Sequence, residues 1–155
     1  MRIWRLIALG CVFQIGLPLP LRGQAPTQYF CNADEITGYY FENGKWGVAN
    51  FNSPPKYVFK ETVSPDRGPT WGPGEKIWEL TEVGDSFSIA RCSDWTTNMN
   101  GQRERTAIIE CHGIYKMKFN KTSLRFLLSY FAGYIDGTDD NRDTPYLAIG
   151  KCSPL

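Results

Sequence analysis

The chain has 155 residues, of which 42% are hydrophobic, and it carries 17 basic side chains against 16 acidic ones. This length suffices for one domain with a core of its own and is short for two. The near-neutral charge argues against nucleic-acid binding, which clustered Lys and Arg side chains dominate, so no nucleic-acid partner is expected.

The first 25 residues have the pattern of a secretory signal peptide. "MRIWR" is basic, "LIALGCVFQIGLPLPL" is apolar, and Gly23 and Ala25 are the small residues before a cleavage position. Gln and Pro interrupt the apolar run, which makes it a poor membrane-spanning helix; an uncleaved anchor is the alternative. We therefore expect a single mature domain over residues 26–155, periplasmic or secreted, with no membrane span. Its 14 basic and 16 acidic residues give a net charge of −2.

The mature segment alternates between apolar and polar residues in short runs separated by turn residues. "ITGYYFENGKWGVANF" surrounds Asn43-Gly44, the strongest short hairpin signal. "KYVFKETV" is a further strand, "SPDRGPTWGPGE" a loop, and "KIWELTEVGDSFSIARC" a second hairpin that turns at Gly84-Asp85. "IECHGIYKMKF", "LRFLLSYFAGYI" and "PYLAIGKC" each predict one strand. Eight or nine strands predict an all-β antiparallel barrel, lipocalin-like or similar, with a sandwich as the alternative.

Four cysteines remain in the mature segment, and an even number in an exported chain indicates two disulfides. Sequence alone permits three connectivities. The first and last strands of a closed barrel are neighbours, which favours Cys31 with Cys152 and leaves Cys92 with Cys111.

The second bridge constrains the hairpin that contains it. If strand pairing resumed at Arg105, Cys111 would lie about 20 Å beyond the position opposite Cys92. We therefore expect pairing to resume near Ile109, with the residues between Cys92 and Ile109 forming an unpaired excursion.

His112 is the only histidine and follows Cys111 directly. Neighbouring side chains of a strand point to opposite faces, so His112 is expected on the exposed face beside Lys116 and Lys118. A Cys–His nucleophile needs hydrogen-bond contact between the two groups, and a zinc site needs at least three ligands. We expect this pair to be structural.

Trp71 and Trp95 lie in segments that we predict as loops, outside the alternating strands. Aromatic rings on loops form binding platforms, so both are candidate binding residues. Capping of the barrel is the alternative for a large apolar ring. We assign Trp95, just beyond Cys92, to capping, and Trp71, between Pro69 and Pro73, to ligand contact.

The loop "DGTDDNRDTP" holds several aspartates that are weak candidates for calcium ligands. Their spacing differs from that of an EF-hand loop, and a solvated acidic turn is the alternative interpretation. These candidates are Asp136, Asp139, Asp140 and Asp143. No catalytic residue, no other metal site and no cofactor is predicted, because the chain lacks nucleophile motifs and phosphate-binding glycine loops.

Two segments carry a resemblance to known groups. The C-terminal segment, with "RF", "GY" and "IGKCS" in order, resembles a group of small exported bacterial proteins of unassigned function. "YFCNADEITGYYFENGKW" is similar to the opening of periplasmic C-type lysozyme inhibitors, which implies a small β-barrel. The Ser-Gly-Ser-Gly inhibitory loop of that family is absent from this chain.

Taken together, these features predict an exported β-barrel binding module without a catalytic role. Its partner is expected to be a protein, a glycan or a small apolar ligand. The alternatives are a periplasmic inhibitor of a cell-wall-active enzyme such as lysozyme and a hydrolase of unknown substrate. A hollow barrel would favour an interior ligand, and a barrel filled by side chains would favour binding through loops.

Overall fold

The segments with alternating apolar and polar residues form antiparallel strands in the computed structural model. The structure describes residues 27–69 and 71–155. The expected signal peptide lies outside the described residues. The strands are β1 (Gln28–Glu42), β2 (Lys45–Asn50), β3 (Lys56–Val63), β4 (Lys76–Glu82), β5 (Ala90–Thr97), β6 (Arg103–His112), β7 (Tyr115–Asn120), β8 (Arg125–Tyr130) and β9 (Tyr146–Pro154). A short 3₁₀ helix covers Tyr134–Asp136.

Eight of these strands close into an antiparallel barrel, and β2 is an additional strand, which confirms the predicted fold class. The barrel order is β1-β3-β4-β5-β6-β7-β8-β9, and β9 pairs back onto β1. The long strand β1 pairs with β3 near its start and with β2 near its end. The β1–β2 hairpin turns at Asn43-Gly44, where both residues have positive φ, as a primed two-residue turn requires.

The barrel interior is packed with side chains rather than hollow. Phe59 and Phe119 stack at a ring-centroid distance of 5.4 Å, and Tyr29 meets Phe119 edge-on at 4.8 Å. The fully buried apolar side chains include Tyr57, Phe59, Ile77, Leu80, Ile109, Met117, Phe119 and Leu128. A barrel filled by side chains leaves no interior ligand site and favours binding through loops, as expected above for this case.

Both predicted disulfides are confirmed. Cys31 faces Cys152 where β1 and β9 close the barrel, and Cys92 faces Cys111 across β5 and β6. The four sulfur-bearing side chains lie inside, among the buried residues of the core. The bridges therefore join strands that the barrel already pairs.

The predicted excursion after Cys92 is wrong. β5 and β6 stay paired almost to their turn, with Ser93 opposite Glu110 and Trp95 opposite Arg105. The register shifts between Ser93 and Trp95, where β6 contains more residues than the facing part of β5. Because of this shift, Trp95 can pair with Arg105 while Cys92 faces Cys111. This irregularity resolves the geometric conflict that a regular ladder would create.

Two other strand predictions need correction. "IECHGIYKMKF" is a hairpin, because β6 ends at His112 and β7 begins at Tyr115 after a turn in which Gly113 has φ of 141°. "LRFLLSYFAGYI" is a strand only to Tyr130. No helix among the described residues is long and apolar enough to cross a membrane.

Candidate functional site

A cleft of about 540 Å³ lies on the outer face of the barrel, between the β3–β4 loop and strands β5 and β6. Because Cys92 and Cys111 point inward, their neighbours Ser93 and His112 point outward and line this cleft. Trp71 and Trp95, the two tryptophans singled out in the sequence, both line it as well. Folding thus brings together two residues that are separated in the chain by the whole of strand β4.

Trp71 forms a wall of the cleft. Its side chain is only 6% exposed, although it belongs to a loop and stands outside the barrel core. The indole lies against the bare backbone of Gly68, where a Cβ atom would overlap the ring. The Gly68 N–H also donates to the Trp71 carbonyl at 3.0 Å, which closes the loop around the ring. Trp71, which we expected to be the exposed contact, is therefore held mainly by its own loop.

Trp95 is part of strand β5 rather than a loop, which corrects the sequence-based placement. It is half-buried, and its indole N–H donates to the Lys76 carbonyl at 3.4 Å. The guanidinium carbons of Arg103 and Arg105 lie 5.0 and 5.1 Å from its ring centroid, within cation–π range. Trp95 therefore stands on the outer wall between cations and does not cap the barrel.

The rim of the cleft is held by ion pairs. Arg103 donates to both carboxylate oxygens of Glu75, at 2.5 and 2.8 Å. That bidentate contact, a backbone hydrogen bond from Gly72 and the nearby Arg67 hold the pKa of Glu75 at about 2. Arg103 thereby ties the β3–β4 loop to strand β6 across the cleft, which fixes the position of the Trp71 wall.

His112 points outward, as predicted, but it is half-buried rather than exposed. Its ring centroid lies 6.3 Å from that of Trp71, at a tilt of 43°. We did not identify His112, Arg103 or Glu75 as site residues from the sequence. The sequence feature that could have indicated the two arginines is the strand alternation in "RERT", which places Arg103 and Arg105 on one face.

An ion pair behind Trp95 is part of the barrel end rather than of the cleft. Asp94 is 1% exposed, points inward, and accepts a hydrogen bond from Lys121 at 2.6 Å. The Arg105 guanidinium approaches the same carboxylate at 3.6 Å. A buried carboxylate needs such partners, so this contact fixes Arg105 beside the indole.

The aspartates of the loop before β9 make separate contacts. Asp139 accepts from the Trp46 indole at 2.8 Å, Asp143 from the Tyr130 hydroxyl at 2.9 Å, and Asp140 from Arg142 at 2.6 Å. The Asp136 carboxylate accepts from the Thr138 backbone N–H at 2.8 Å. Within residues 27–69 and 71–155, no group of three or more His, Cys, Asp or Glu side chains could hold a metal ion.

No protein-family model, curated protein or solved structure matches this chain. The resemblances of the C-terminal segment and of residues 29–46 therefore stay predictions, and the cleft is interpreted from its own geometry.

Proposed function

We propose that the mature chain is an exported binding module that captures a glycan in the cleft between Trp71 and Trp95. The observation that carries this proposal is the half-buried Trp95 indole beside paired charged side chains in one open cleft, of which Trp71 forms a wall. Sugar rings offer apolar faces that pack on indoles and hydroxyl groups that bond to charged side chains. The two disulfides are compatible with export to an oxidising compartment.

The lining favours a hydroxyl-rich ligand over a small apolar one. Arg67, Glu75, Arg103 and Glu110 line the same cleft as the indoles and supply both donors and acceptors. An apolar ligand would remove water from these groups without replacing its hydrogen bonds. The filled barrel interior also argues against a buried apolar ligand.

We propose binding without catalysis because Arg103 holds the Glu75 carboxyl group of the cleft as an ion. A general acid needs a pKa near the working pH, whereas Arg103 keeps the pKa of Glu75 at about 2. Glu110 pairs with Lys118 at 3.2 Å. The Glu75 carboxyl group is therefore not placed as a proton donor near neutral pH.

The test is an oligosaccharide array that includes chito-oligosaccharides and peptidoglycan glycan strands, followed by titration of the best ligand. Trp95→Ala is expected to weaken binding by about tenfold, equivalent to about 1.4 kcal/mol. Tyr134→Ala, which removes an exposed aromatic ring outside the cleft, is the matched control and should leave glycan affinity unchanged.

A protein that binds no oligosaccharide on the array would contradict the proposal. Full glycan affinity in a folded Trp95→Ala variant would remove the cleft as the site. Titration against C-type lysozyme, run beside the array, would show whether the chain acts instead as an inhibitor of that enzyme.

A further inference from the structure

A second cavity lies where the β1–β2 hairpin meets residues 131–145, the segment between β8 and β9. The Asn141 side chain accepts from the Phe41 backbone N–H at 2.6 Å and donates to the Phe41 carbonyl at 2.8 Å. The Tyr39 N–H donates to the Pro145 carbonyl at 3.0 Å. These contacts hold the segment against the hairpin, so the cavity between them has fixed walls.

The cavity has a volume of about 490 Å³ and a predominantly aromatic lining. Tyr39 and Tyr134 are 51% and 61% exposed, and Phe131 is 57% exposed. Trp46 meets Tyr134 edge-on at a centroid distance of 5.5 Å. Contiguous exposed apolar surface on a small protein marks an interaction site more often than chance exposure does.

The charges around this cavity are predominantly negative. Residues 131–145 contain four aspartates and one basic residue, Arg142, which already pairs with Asp140. The Asp139 carboxylate is fixed beside the cavity by its hydrogen bond from the Trp46 indole. No Lys or Arg side chain is among the residues that line the cavity. The local potential therefore attracts cations and repels anionic ligands.

We propose that this aromatic cavity binds a small organic cation, with a trimethylammonium group of the choline type as the preferred ligand. The faces of Trp and Tyr rings attract cations, and cages of such rings recognise quaternary ammonium groups. The aspartates of residues 131–145 provide negative charge near the cavity, although no carboxylate lines it. This arrangement suits a quaternary ammonium group, because such a cation cannot donate hydrogen bonds to a carboxylate. The volume falls within the usual range of small-molecule sites.

This site differs from the Trp71–Trp95 cleft in its charge as well as its lining. Arg67 and Arg103 line the cleft, whereas the aromatic cavity has no basic side chain in its lining. The two sites can therefore be tested independently, and failure of one proposal leaves the other standing.

The experiment is calorimetric titration of the protein with choline and with 3,3-dimethyl-1-butanol, its uncharged isostere. Choline is expected to bind at least about tenfold more tightly, because only the cation interacts with the ring faces. Equal affinities would overturn the proposal by showing a groove that recognises shape alone. Absence of saturable choline binding would overturn it as well.

Variants locate the binding. Tyr134→Ala should weaken choline binding by about fivefold, whereas Tyr134→Phe, which keeps the ring, should retain it. The double variant Asp136→Asn, Asp139→Asn keeps an acceptor for the Trp46 indole and removes two charges. It should weaken choline binding at low salt and have little effect at high salt.

Trp95→Ala, in the other site, is the matched control and should leave choline binding unchanged. Undiminished binding in a folded Tyr134→Ala variant would overturn the proposal. Sedimentation of wild type and Tyr134→Ala tests the competing occupant: a dimer that dissociates in the variant would assign the patch to a second copy of the chain.

Discussion

The two aromatic surfaces of this barrel are built in opposite ways. In the cleft, Trp71 is buried by its own loop, and Trp95 is flanked by Arg103 and Arg105. In the aromatic cavity, Tyr39 of the hairpin and Tyr134 of residues 131–145 stay more than half exposed, and hydrogen bonds hold these two parts of the chain together. In the cleft, the aromatic rings are themselves packed as part of the structure. In the aromatic cavity, the rings are exposed on segments whose positions are fixed by hydrogen bonds to the backbone.

This difference shows that the presence of aromatic residues alone does not distinguish rings that stabilise the fold from rings that are available for binding. A ring that is buried and flanked contributes to folding, so its removal changes stability and binding together. A ring that is exposed on a fixed support contributes little to folding, so its removal changes binding alone. Thermal stability measured beside affinity therefore distinguishes the two surfaces.

The largest effect is expected for Trp71→Ala. Removal of this buried indole should lower the free energy of unfolding by about 3–5 kcal/mol, as for other large-to-small changes at buried positions. Tyr134→Ala, the matched change at the exposed surface, should stay within about 0.5 kcal/mol of wild type. Urea denaturation of both variants measures the difference. Similar stabilities would show that the comparison between the two surfaces is wrong.

The next effect is expected for the double variant Cys92→Ser, Cys111→Ser. This bridge closes 19 residues and lies directly beneath Ser93 and His112 of the cleft. Its loss should cost about 3 kcal/mol by the chain-entropy model. Glycan affinity should fall with it, whereas choline affinity of the folded variant should not. An equal loss at both sites would indicate that the bridge acts on the whole barrel rather than on the cleft.

A smaller effect is expected on acidification. Arg103 lowers the pKa of Glu75 in the folded protein from 4.5 to about 2. The folded state therefore binds fewer protons than the unfolded one, and the contribution of the pair is complete above about pH 4.5 and lost as the pH falls towards 2. Glu75→Gln should lower the melting temperature at pH 7 and converge with wild type near pH 2. A constant difference across this range would contradict the ion pair.

The fold was largely predictable from the sequence because its signals are local. Alternation in "KYVFKETV" and "KIWELTE" and the Asn43-Gly44 turn depend on neighbouring residues. The disulfide pairing followed from barrel closure, which brings the first and last strands together. The hairpin inside "IECHGIYKMKF" was missed because Gly113-Ile114 is a weak turn signal within a continuous alternating pattern.

The candidate sites were only partly predictable. Trp71 and Trp95 could be selected because neither fitted an alternating strand pattern. Their contacts could not be predicted, because the register shift between Ser93 and Trp95 decides which residues of β6 lie opposite the indole. Trp46 lies in a strand that the alternation predicts, but no local pattern indicates that it lines the aromatic cavity and donates to Asp139, 93 residues away in the chain.

The strands, most of their turns and the cysteines available for bridging are predictable from the amino-acid sequence, since they depend on residue type and short-range periodicity. The tertiary structure alone decided which loops lie over which strands. The Glu75–Arg103 pair spans 28 residues and the Asn141–Phe41 contacts span 100, and each fixes a loop that forms one wall of a cavity. Such contacts depend on the tertiary arrangement, because only the folded barrel brings segments distant in the chain to the same surface.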